Sequence, residues 1–326
     1  MAHPSSVNSL KGKSVLITGG AGFIGSNLVG ELLKIGAKVT VLDNLETGNK
    51  NNLTEFLNQK NFKFIEGDIK KVEDCYIALD GIELVSHQAA LGSVPRSIEF
   101  PFNTHDANAT GFLNILHACK EKKIKRFVFA SSSSVYGDCL TSPKVEGDEG
   151  NLLSPYAVTK ELNEQYAKVY FRLHNLETIG LRYFNVFGPK QNPNGAYAAA
   201  IPKFIDKMIH GEEIMVHGDG NQSRDFTYVK NAVLANLLAL SSENKDAFGQ
   251  TFNVACGESY SINYIIETIR TILESKQKYN KKCTLVYGPE RSGDIKHSLA
   301  NISKIKKTLN YNPLYLFEDG IKEYLS

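Results

Sequence analysis

A short apolar segment that leads directly into a glycine-rich turn constrains this chain more than any other feature. Lys13 to Thr18 is typical of a buried strand, and the turn GGAGFIG leads from it into a helix predicted to extend to about Lys34. In that turn Gly19 permits a tight bend, Gly22 lets the backbone approach a bound group, and Gly25 lets the helix pack closely on the strand. Because the first turn of a helix presents free N–H groups, the segment predicts a phosphate-binding site.

A second strand follows the helix, and a carboxylate stands at its end. Ala37 to Leu42 (AKVTVL) is apolar, and Asp43 comes directly after it. At this place in a strand–helix–strand unit, an acidic residue accepts a hydrogen bond from an adenosine ribose 2′-hydroxyl but repels a 2′-phosphate. The next residues, Asn44, Leu45 and Glu46, include no arginine to hold such a phosphate. The sequence therefore predicts a dinucleotide site for NAD rather than NADP.

The alternation of strands and helices continues along the first half of the chain. Further apolar strands are predicted at Phe62–Glu66, Glu83–His87, Arg126–Ala130 and Thr178–Tyr183, and helices at Asp106–Lys122 and Pro155–Arg172. Strands too apolar to face water, separated by helices, indicate a parallel sheet covered on both faces. The predicted fold class is α/β, a Rossmann-type doubly wound parallel sheet with a smaller α/β substrate-binding lobe.

The chain divides where its composition changes. Residues 11–187 form the predicted NAD-binding domain, to which a return segment at about 225–255 contributes. Gly, Pro and Asn cluster in the loop GPKQNPNG, which begins at Gly188, and such residues favour loop structure. The predicted nucleotide-sugar-binding lobe comprises 188–224 and 256–326, and residues 1–10 are predicted to be a loose N-terminal tail.

Composition and charge exclude several classes of protein. The 326 residues are 42% hydrophobic and carry 37 basic and 35 acidic side chains, which argues against a disordered or a polyanion-binding chain. No apolar stretch approaches the ~20 residues of a membrane span, and the first residues lack an apolar signal core. The five cysteines lie far apart, so we expect no metal site, no disulfide framework and a cytoplasmic location. We expect neither nucleic acid nor a membrane as a partner.

A tyrosine and a lysine one helical turn apart form the main catalytic candidate. Ser154 and Pro155 begin a predicted helix, and Tyr156 and Lys160 share one face of it. A lysine ammonium beside a phenol favours the phenolate and so lowers the pKa of the tyrosine, which then works as an acid–base group near neutral pH. The serine-rich segment SSSSVYG, which begins at Ser131, supplies a hydroxyl that could relay a proton.

With these motifs, the sequence resembles the extended short-chain dehydrogenase/reductases, and among them the NAD-dependent nucleotide-sugar 4-epimerases. The segments TGGAGFIGSN, SSSSVYGD, SPYAVTK, LRYFNVFGP and RSGD carry the resemblance, which covers nearly the whole chain from Lys13. It implies that Ser132, Tyr156 and Lys160 are catalytic, with Tyr156 as the base and Ser132 as a proton relay. It also implies a tightly bound NAD that is regenerated in each turnover. It further implies a homodimer that is paired through the predicted helices Asp106–Lys122 and Pro155–Arg172.

The resemblance assigns further residues to the cofactor and to the substrate. The cofactor residues that it implies are Gly19, Gly22, Phe23, Ile24, Gly25, Asp43, Asn44, Thr47, Gly48, Asp68, Ile69, Gln88, Ala89, Ala90, Tyr156, Lys160, Tyr183 and Val186. The substrate residues that it implies are Ser93, Arg96, Ser132, Ser133, Asn185, Ala199, Val216, Arg224, Arg291, Asp294 and Ser298. Within this set, Asn185, Arg224 and Arg291 match residues that hold the diphosphate, and Asp294 matches a ribose contact.

Relatives on this scaffold carry out different reactions, and the residues after the fifth strand discriminate among them. The 4,6-dehydratases and sugar-acid decarboxylases carry an acidic residue just before VYG, where this chain has Ser133 and Ser134. Without a carboxyl group there, elimination lacks its base and its acid. The expected reaction is reversible oxidation at C4: a transient 4-keto sugar forms, turns about its diphosphate and is reduced on the other face.

The sugar is predicted from three local features. The segments HQAALGSVPRS and QNPNGAY resemble the branch that acts on UDP-N-acetylhexosamines, and Ser298 stands where enzymes confined to UDP-glucose and UDP-galactose tend to have tyrosine. A serine leaves room for a 2-acetamido group, so the expected pair is UDP-GlcNAc and UDP-GalNAc, with the glucose and uronic-acid forms left open. One alternative is a UDP-glucuronate-type 4-epimerase in which Lys190 or Arg96 meets the carboxylate. The other is a non-catalytic sensor of NAD or nucleotide sugars.

Overall fold

The structure is a computed structural model that describes residues 4–194, 199–289 and 296–326. Its strands are β1 Ser14–Thr18, β2 Lys38–Asp43, β3 Phe62–Glu66, β4 Leu84–His87, β5 Arg126–Ser132, β6 Glu177–Tyr183, β7 Val186–Phe187, β8 Ile214–His217, β9 Ser223–Arg224, β10 Thr227–Tyr228, β11 Gln250–Val254, β12 Tyr260–Ser261, β13 Leu285–Gly288 and β14 His297–Ser298. Its α-helices are α1 Phe23–Ile35, α2 Val72–Ala78, α3 Val94–Glu99, α4 Pro101–His105, α5 Gly111–Glu121, α6 Pro155–His174, α7 Ala200–His210, α8 Val229–Ser241, α9 Ile262–Ser275, α10 Ser303–Leu309 and α11 Phe317–Tyr324. Short 3₁₀ segments lie at Ser5–Leu10, Lys50–Phe56, Ser133–Tyr136 and Lys245–Ala247, and a π-helical turn at Asp106–Thr110.

A seven-stranded parallel sheet organises the molecule. Its strand order is β11-β6-β5-β4-β1-β2-β3, and every neighbouring pair runs parallel. The predicted α/β, Rossmann-type fold is thus confirmed. The order reverses between β1 and β4, and in such sheets ligands bind in the crevice outside the carboxyl ends of the strands at that point.

Both faces of the sheet are buried, as its apolar strands require. Val15 and Ile17 of β1 point into one core together with residues of α1 and α8, whereas Leu16 points into a second core with residues of α2 and α5. Helix α8 is buried around its whole circumference, which is expected of a helix that is apolar on every side.

The N-terminal segment differs from its prediction as a loose tail. Residues Ser5–Leu10 form a 3₁₀ turn in which Val7 and Leu10 are buried. Side chains three residues apart fall on the same side of a 3₁₀ helix. The two apolar residues therefore enter the core beside α1 and α8 together.

The helix predicted at Asp106–Lys122 is also built differently. Its first turn, Asp106–Thr110, is π-helical, and α5 proper covers Gly111–Glu121. The buried side chain of Asn108 in this turn bonds the backbone N–H and C=O of Leu91, at 2.7 and 3.1 Å. The turn therefore holds the loop that follows β4.

The second half of the chain adds one strand to the main sheet and builds small sheets of its own. Strand β11 pairs with β6 at the main sheet's edge. The remaining short strands form the sheets β10-β7, β12-β9-β14 and β13-β8. Within the described residues, the structure contains no helix long and apolar enough to cross a membrane.

Candidate active site

A cleft of about 910 Å³ opens at the carboxyl ends of the central strands. With the exception of Val186, every residue that the sequence assigns to NAD lines it. Three residues assigned to the substrate, Ser93, Arg96 and Ala199, line the same cleft. The folded chain therefore brings residues from six separate strand ends and loops to one surface.

The glycine turn between β1 and α1 forms one wall of the cleft. Gly19 has a φ of +68°, and a Cβ there would lie 2.6 Å from the backbone nitrogen of Ala89. A Cβ at Gly25 would lie 2.2 Å from the Gly19 carbonyl oxygen, whereas a Cβ at Gly22 would meet only that oxygen, at 3.2 Å. Gly19 and Gly25 are therefore needed for packing, while Gly22 leaves space in the cleft for a phosphate group.

The carboxylate of Asp43 is held in place at the end of β2. Its two oxygens accept hydrogen bonds from the backbone N–H groups of Ala21, at 2.9 Å, and Leu45, at 2.8 Å. Burial raises the pKa of the Asp43 carboxyl, and these two bonds oppose that rise. Each oxygen has a further lone pair for a ribose hydroxyl. The glycine cradle and this acceptor together fit the adenosine diphosphate half of NAD.

The three predicted catalytic residues lie close together, and two of them, Tyr156 and Lys160, line the cleft. The Ser154 side chain caps α6 by accepting a bond from the Ala157 N–H at 3.2 Å, which fixes the start of the helix. Tyr156, in its first turn, is hydrogen-bonded through its phenol to Ser132 at the end of β5. Lys160 donates to the carbonyl oxygen of Ala130 at 2.9 Å, with its nitrogen 5.8 Å from the centre of the Tyr156 ring.

The predicted lowering of the tyrosine pKa is wrong for this arrangement. Burial raises the pKa of Tyr156, and the hydrogen bond with Ser132 only opposes the rise. Burial also lowers the pKa of Lys160 to about 8, with the Glu164 carboxylate opposing. The physical reason is that both side chains are removed from water, which disfavours their charged forms. The lysine ammonium is directed at a backbone carbonyl rather than at the phenol oxygen.

A buried ion pair supports the end of β5 from behind. Ser131 donates a hydrogen bond to the Glu164 carboxylate, and Arg182 holds the same carboxylate with two bonds, at 2.9 and 2.7 Å. Arg182 also pairs with Glu149 in the loop before α6. Because bidentate arginine–carboxylate pairs fix geometry well, this network holds the strand that carries Ser132 against the helix that carries Tyr156.

Two of the predicted diphosphate-binding residues, Arg224 and Asn185, lie outside the cleft lining. Arg224 of β9 is the register partner of Ser298 of β14 in the small sheet, so the structure brings these two predicted substrate residues together. Asn185 lies between β6 and β7, where its side-chain amide donates to the Asp225 carbonyl at 3.1 Å. Asp225 itself is buried and accepts bonds from the N–H groups of Cys256 and Gly257, both at 2.9 Å.

The other predicted substrate residues divide into three groups. Ser133 follows Ser132 in a 3₁₀ turn close to Tyr156. Val216 lies on β8, and its side chain is buried in the apolar core. Arg291 and Asp294 lie outside the described residues.

Several residues of the cleft were missed by the sequence analysis. Asn49, Asn52, Gln191 and Asn192 line it without having been assigned a role. Polar loop residues carry no pattern that distinguishes them from other loop residues. Asn236 on α8 does not line the cleft but bonds Gln88 and Tyr183, which do. The sequence marks it as the polar interruption in the apolar run from Ala232 to Leu240.

Comparison with known proteins identifies the family of this chain. Residues 15–255 match the model of the NAD dependent epimerase/dehydratase family. The chain belongs to this family. Its extended short-chain dehydrogenase/reductase resemblance and its NAD cofactor are therefore confirmed, and its relatives among the UDP-sugar 4-epimerases make it an isomerase of that group.

Three solved structures show how the relatives vary. A UDP-N-acetylglucosamine 4-epimerase from Methanobrevibacter ruminantium, in complex with UDP-N-acetylmuramic acid, is 40% identical, with a TM-score of 0.89 and 97% of both chains covered. A UDP-glucose 4-epimerase from Thermotoga maritima with UDP-glucose is 33% identical, with a TM-score of 0.87 and coverage of 96% of this chain and 97% of that one. A UDP-glucuronic acid 4-epimerase from Bacillus cereus, in complex with UDP-glucuronic acid and NAD, is 31% identical, with a TM-score of 0.84 and coverage of 95% and 97%.

Proposed function

We propose that this family member is an NAD-dependent 4-epimerase that interconverts UDP-GlcNAc and UDP-GalNAc, with Ser132, Tyr156 and Lys160 as its catalytic residues. The observation that carries the proposal is that Tyr156, bonded to Ser132, and Lys160 line the same cleft as the glycine turn and Asp43. A cofactor that spans this cleft reaches from the Asp43 carboxylate to the Tyr156 phenol.

The chain's own residues handle the proton at C4. NAD, when bound, supplies the two-electron oxidation of the C4 alcohol and the reduction that follows. Tyr156 removes the hydroxyl proton in one half of the reaction and returns it in the other, with Ser132 bonded to the same phenol as the relay. The Lys160 nitrogen lies 5.8 Å from the centre of the ring. When protonated, it would place a positive charge that opposes the effect of burial on the phenol.

The absence of a carboxyl group beside the relay favours epimerisation over elimination. The positions before VYG hold Ser133 and Ser134, and the hydroxyl of Ser134 is buried. A serine hydroxyl is a poor base and a poor acid near neutral pH, so removal of a C5 proton or loss of the C6 hydroxyl would find no catalyst there. Reversible oxidation at C4, with NAD bound, needs no acid–base group other than the tyrosine and its relay.

The choice of sugar rests on Ser298. Its register partner is Arg224, which we assign to the diphosphate, so the residue lies in the part of the second lobe that would face the nucleotide sugar. A small side chain there leaves room for a 2-acetamido group. The 40% identity with a UDP-N-acetylglucosamine 4-epimerase supports the same choice.

A UDP-glucuronate-type 4-epimerase is the second candidate, since Arg96 lines the cleft and offers a cation to a sugar carboxylate. Lys190, the other cation considered for that role, lines the same cleft. It donates to the Asn52 carbonyl at 2.9 Å and pairs with Glu55 at 3.0 Å.

A Ser298→Tyr variant tests the sugar assignment. We expect kcat/KM for UDP-GlcNAc to fall at least tenfold relative to that for UDP-glucose, because a filled pocket discriminates by about 1–3 kcal/mol. The UDP-glucose rate is the internal control for folding and for cofactor loading. An equal fall for both sugars, or no fall, would contradict a pocket for the acetamido group at Ser298.

We also propose that two copies pair through the two helices predicted for the homodimer, α5, with α4 ahead of it in the chain, and α6, and that the protein works in the cytoplasm. Large apolar side chains are exposed on these helices: Phe102 on α4 is 83% exposed, and Val158, Val169 and Leu173 on α6 face the same side. A patch of this kind marks an interaction surface. Sedimentation of the wild type as a dimer, and of a Phe102→Glu, Leu173→Glu variant as a monomer, would support the pairing; a monomeric wild type would refute it.

A further inference from the structure

A closed ring of hydrogen bonds lies beneath the cleft and involves a residue without an assigned role. The Tyr183 hydroxyl donates to the Gln88 side-chain oxygen at 3.0 Å, and the Gln88 amide donates to the Asn236 side-chain oxygen at 3.0 Å. The Asn236 amide then donates back to the Tyr183 oxygen at 2.7 Å. Each of the three groups gives one bond and receives one within the ring.

The ring joins the two strands that flank the catalytic strand. Gln88 follows β4 and Tyr183 ends β6, while β5, which ends in Ser132, lies between them in the sheet. Asn236 reaches both from α8, one face of which packs on the sheet. The ring therefore fixes the spacing of the strand ends on either side of the Ser132 relay.

Asn236 has no unused bonding capacity. Its amide also donates to the Ala232 carbonyl at 2.8 Å, and its oxygen also accepts from the Ser86 hydroxyl at 3.0 Å. An asparagine side chain makes at most four such bonds, and all four are present. A fully satisfied buried network is rigid, whereas a partly satisfied one costs stability.

The ring decides what Gln88 and Tyr183 present to the cleft that both of them line. Their polar side-chain atoms are hydrogen-bonded to each other and to Asn236, so these atoms are already paired before any group binds in the cleft. Burial raises the pKa of Tyr183 to about 12, against which its two hydrogen bonds act. Tyr183 therefore stays neutral and does not compete with Tyr156 for protons.

We propose that Asn236 is a positioning residue for NAD: it locks Gln88 and Tyr183 into a flat wall with no free polar atoms, against which the cofactor binds at the catalytic end of the cleft. The inference rests on the assignment of this cleft to NAD. It goes beyond that assignment because Asn236 itself does not line the cleft and acts through two side chains that do.

The test measures cofactor exchange rather than turnover. The holoprotein is mixed with labelled NAD, and the rate of exchange is followed for the wild type and for Asn236→Leu. Loss of the ring is expected to accelerate exchange about tenfold, the effect of about 1.4 kcal/mol, since opening a buried network leaves its other members unpaired.

Asn231→Leu is the matched control. Asn231 is equally buried on the same helix, and its bonds go to the backbone of Tyr315, at 2.6 Å, and of Leu314, at 2.8 Å, away from the cleft. Both variants lose stability, but only Asn236→Leu is expected to release NAD faster. Equal acceleration in both variants, or none in Asn236→Leu, would overturn the proposal.

A second pair of variants keeps the test independent of the folding of Asn236→Leu. Tyr183→Phe removes only the hydroxyl that closes the ring, and Tyr311→Phe removes another fully buried hydroxyl, which donates to the Ala255 carbonyl at 3.0 Å. Tyr183→Phe should exchange NAD about tenfold faster, and Tyr311→Phe at the wild-type rate. An unchanged rate in Tyr183→Phe would also overturn the proposal.

If NAD did not bind in this cleft, the exchange measurements would give a different result. An Asp43→Ala variant that retains NAD as tightly as the wild type would show that NAD binds elsewhere. Faster exchange in Asp43→Ala together with an unchanged rate in Asn236→Leu and Tyr183→Phe would leave the cleft assigned and remove only the role of Asn236.

Discussion

The ammonium nitrogen of Lys160 lies 5.8 Å from the centre of the Tyr156 ring and donates its hydrogen bond to the backbone carbonyl of Ala130. The lysine therefore acts on the tyrosine through space and is held by the strand rather than by the phenol. The Tyr156 phenol in turn is hydrogen-bonded to Ser132, which lies two residues after Ala130 on the same strand. The geometry of the three side chains depends on how β5 and α6 are held together.

Replacing Tyr156 by phenylalanine should remove the acid–base group while leaving the cleft intact. We expect epimerisation to fall by about 10²–10⁴-fold, the usual contribution of a positioned proton-transfer group. Bound NAD per chain should stay at the wild-type level. Tyr170→Phe on the same helix, where the hydroxyl meets His117 at 3.0 Å on the surface, is the control. A Tyr156→Phe enzyme with normal turnover would refute the proton role and favour the sensor.

Replacing Lys160 by methionine should change how stability depends on pH. The pKa of Lys160 is about 8 in the folded chain and about 10.4 in an unfolded one, so the unfolded state binds more protons between these values. Stability of the wild type therefore rises with pH through this window. From about pH 7.5 to about pH 9.5 the gain should be about 2 kcal/mol relative to the methionine variant.

Urea unfolding of both proteins across that range measures this difference directly, because all other titrating groups are shared. A stability difference that does not change with pH would contradict the lowered pKa of Lys160.

His87 should make the protein sensitive to acid. It is buried between Phe112 and Phe127 and shares a 2.8 Å hydrogen bond with Thr18. Burial, together with the charge of Lys160, lowers the pKa of His87 to about 3. Unfolding below about pH 6.5 therefore takes up a proton, and stability falls as pH falls.

Between about pH 6.5 and about pH 4.5 this one group should cost roughly 2–3 kcal/mol. His87→Gln keeps a polar partner for Thr18 but does not titrate, so its stability should decline less over this range, as chemical unfolding can show. Parallel declines in the two proteins would mean that other groups govern acid unfolding.

Substitutions at two glycines of the turn should distinguish a role in packing from a role in NAD binding. Gly25→Ala places a Cβ 2.2 Å from the Gly19 oxygen and should lower the free energy of unfolding by about 1–3 kcal/mol or more. Gly22→Ala meets that oxygen only at 3.2 Å and should fold nearly normally yet lose NAD. Thermal unfolding and bound NAD per chain distinguish the two effects; a stable, NAD-loaded Gly22→Ala protein would contradict the phosphate role of this turn.

The main sheet could be predicted from the sequence because its strands are short apolar runs bounded by turns. The predicted Phe62–Glu66 coincides with β3, and Arg126–Ala130 falls short of β5 by two residues, Ser131 and Ser132. Ser131 lines the cleft and bonds Glu164, and Ser132 bonds the Tyr156 phenol. Because both side chains are polar, a prediction based on hydrophobicity ended the strand at Ala130.

The rest depended on tertiary contacts that have no local pattern. Strands β9 and β14 are two residues each, and only their pairing defines them. The pKa of Tyr156 could not be predicted from the spacing to Lys160, because burial acts on both groups and is set by the surrounding fold. Asn236 was visible as a polar residue in an apolar helix, but its partners, Gln88 and Tyr183, come from distant strands.

The most direct test of the central claim is incubation of the purified protein with UDP-GlcNAc and no added cofactor, followed by chromatographic separation of the UDP sugars. We predict that UDP-GalNAc appears, and that the same mixture of the two sugars forms when the reaction starts from UDP-GalNAc. If neither sugar is converted, even with added NAD, while UDP-glucose or UDP-glucuronate is epimerised, the proposed substrate is wrong.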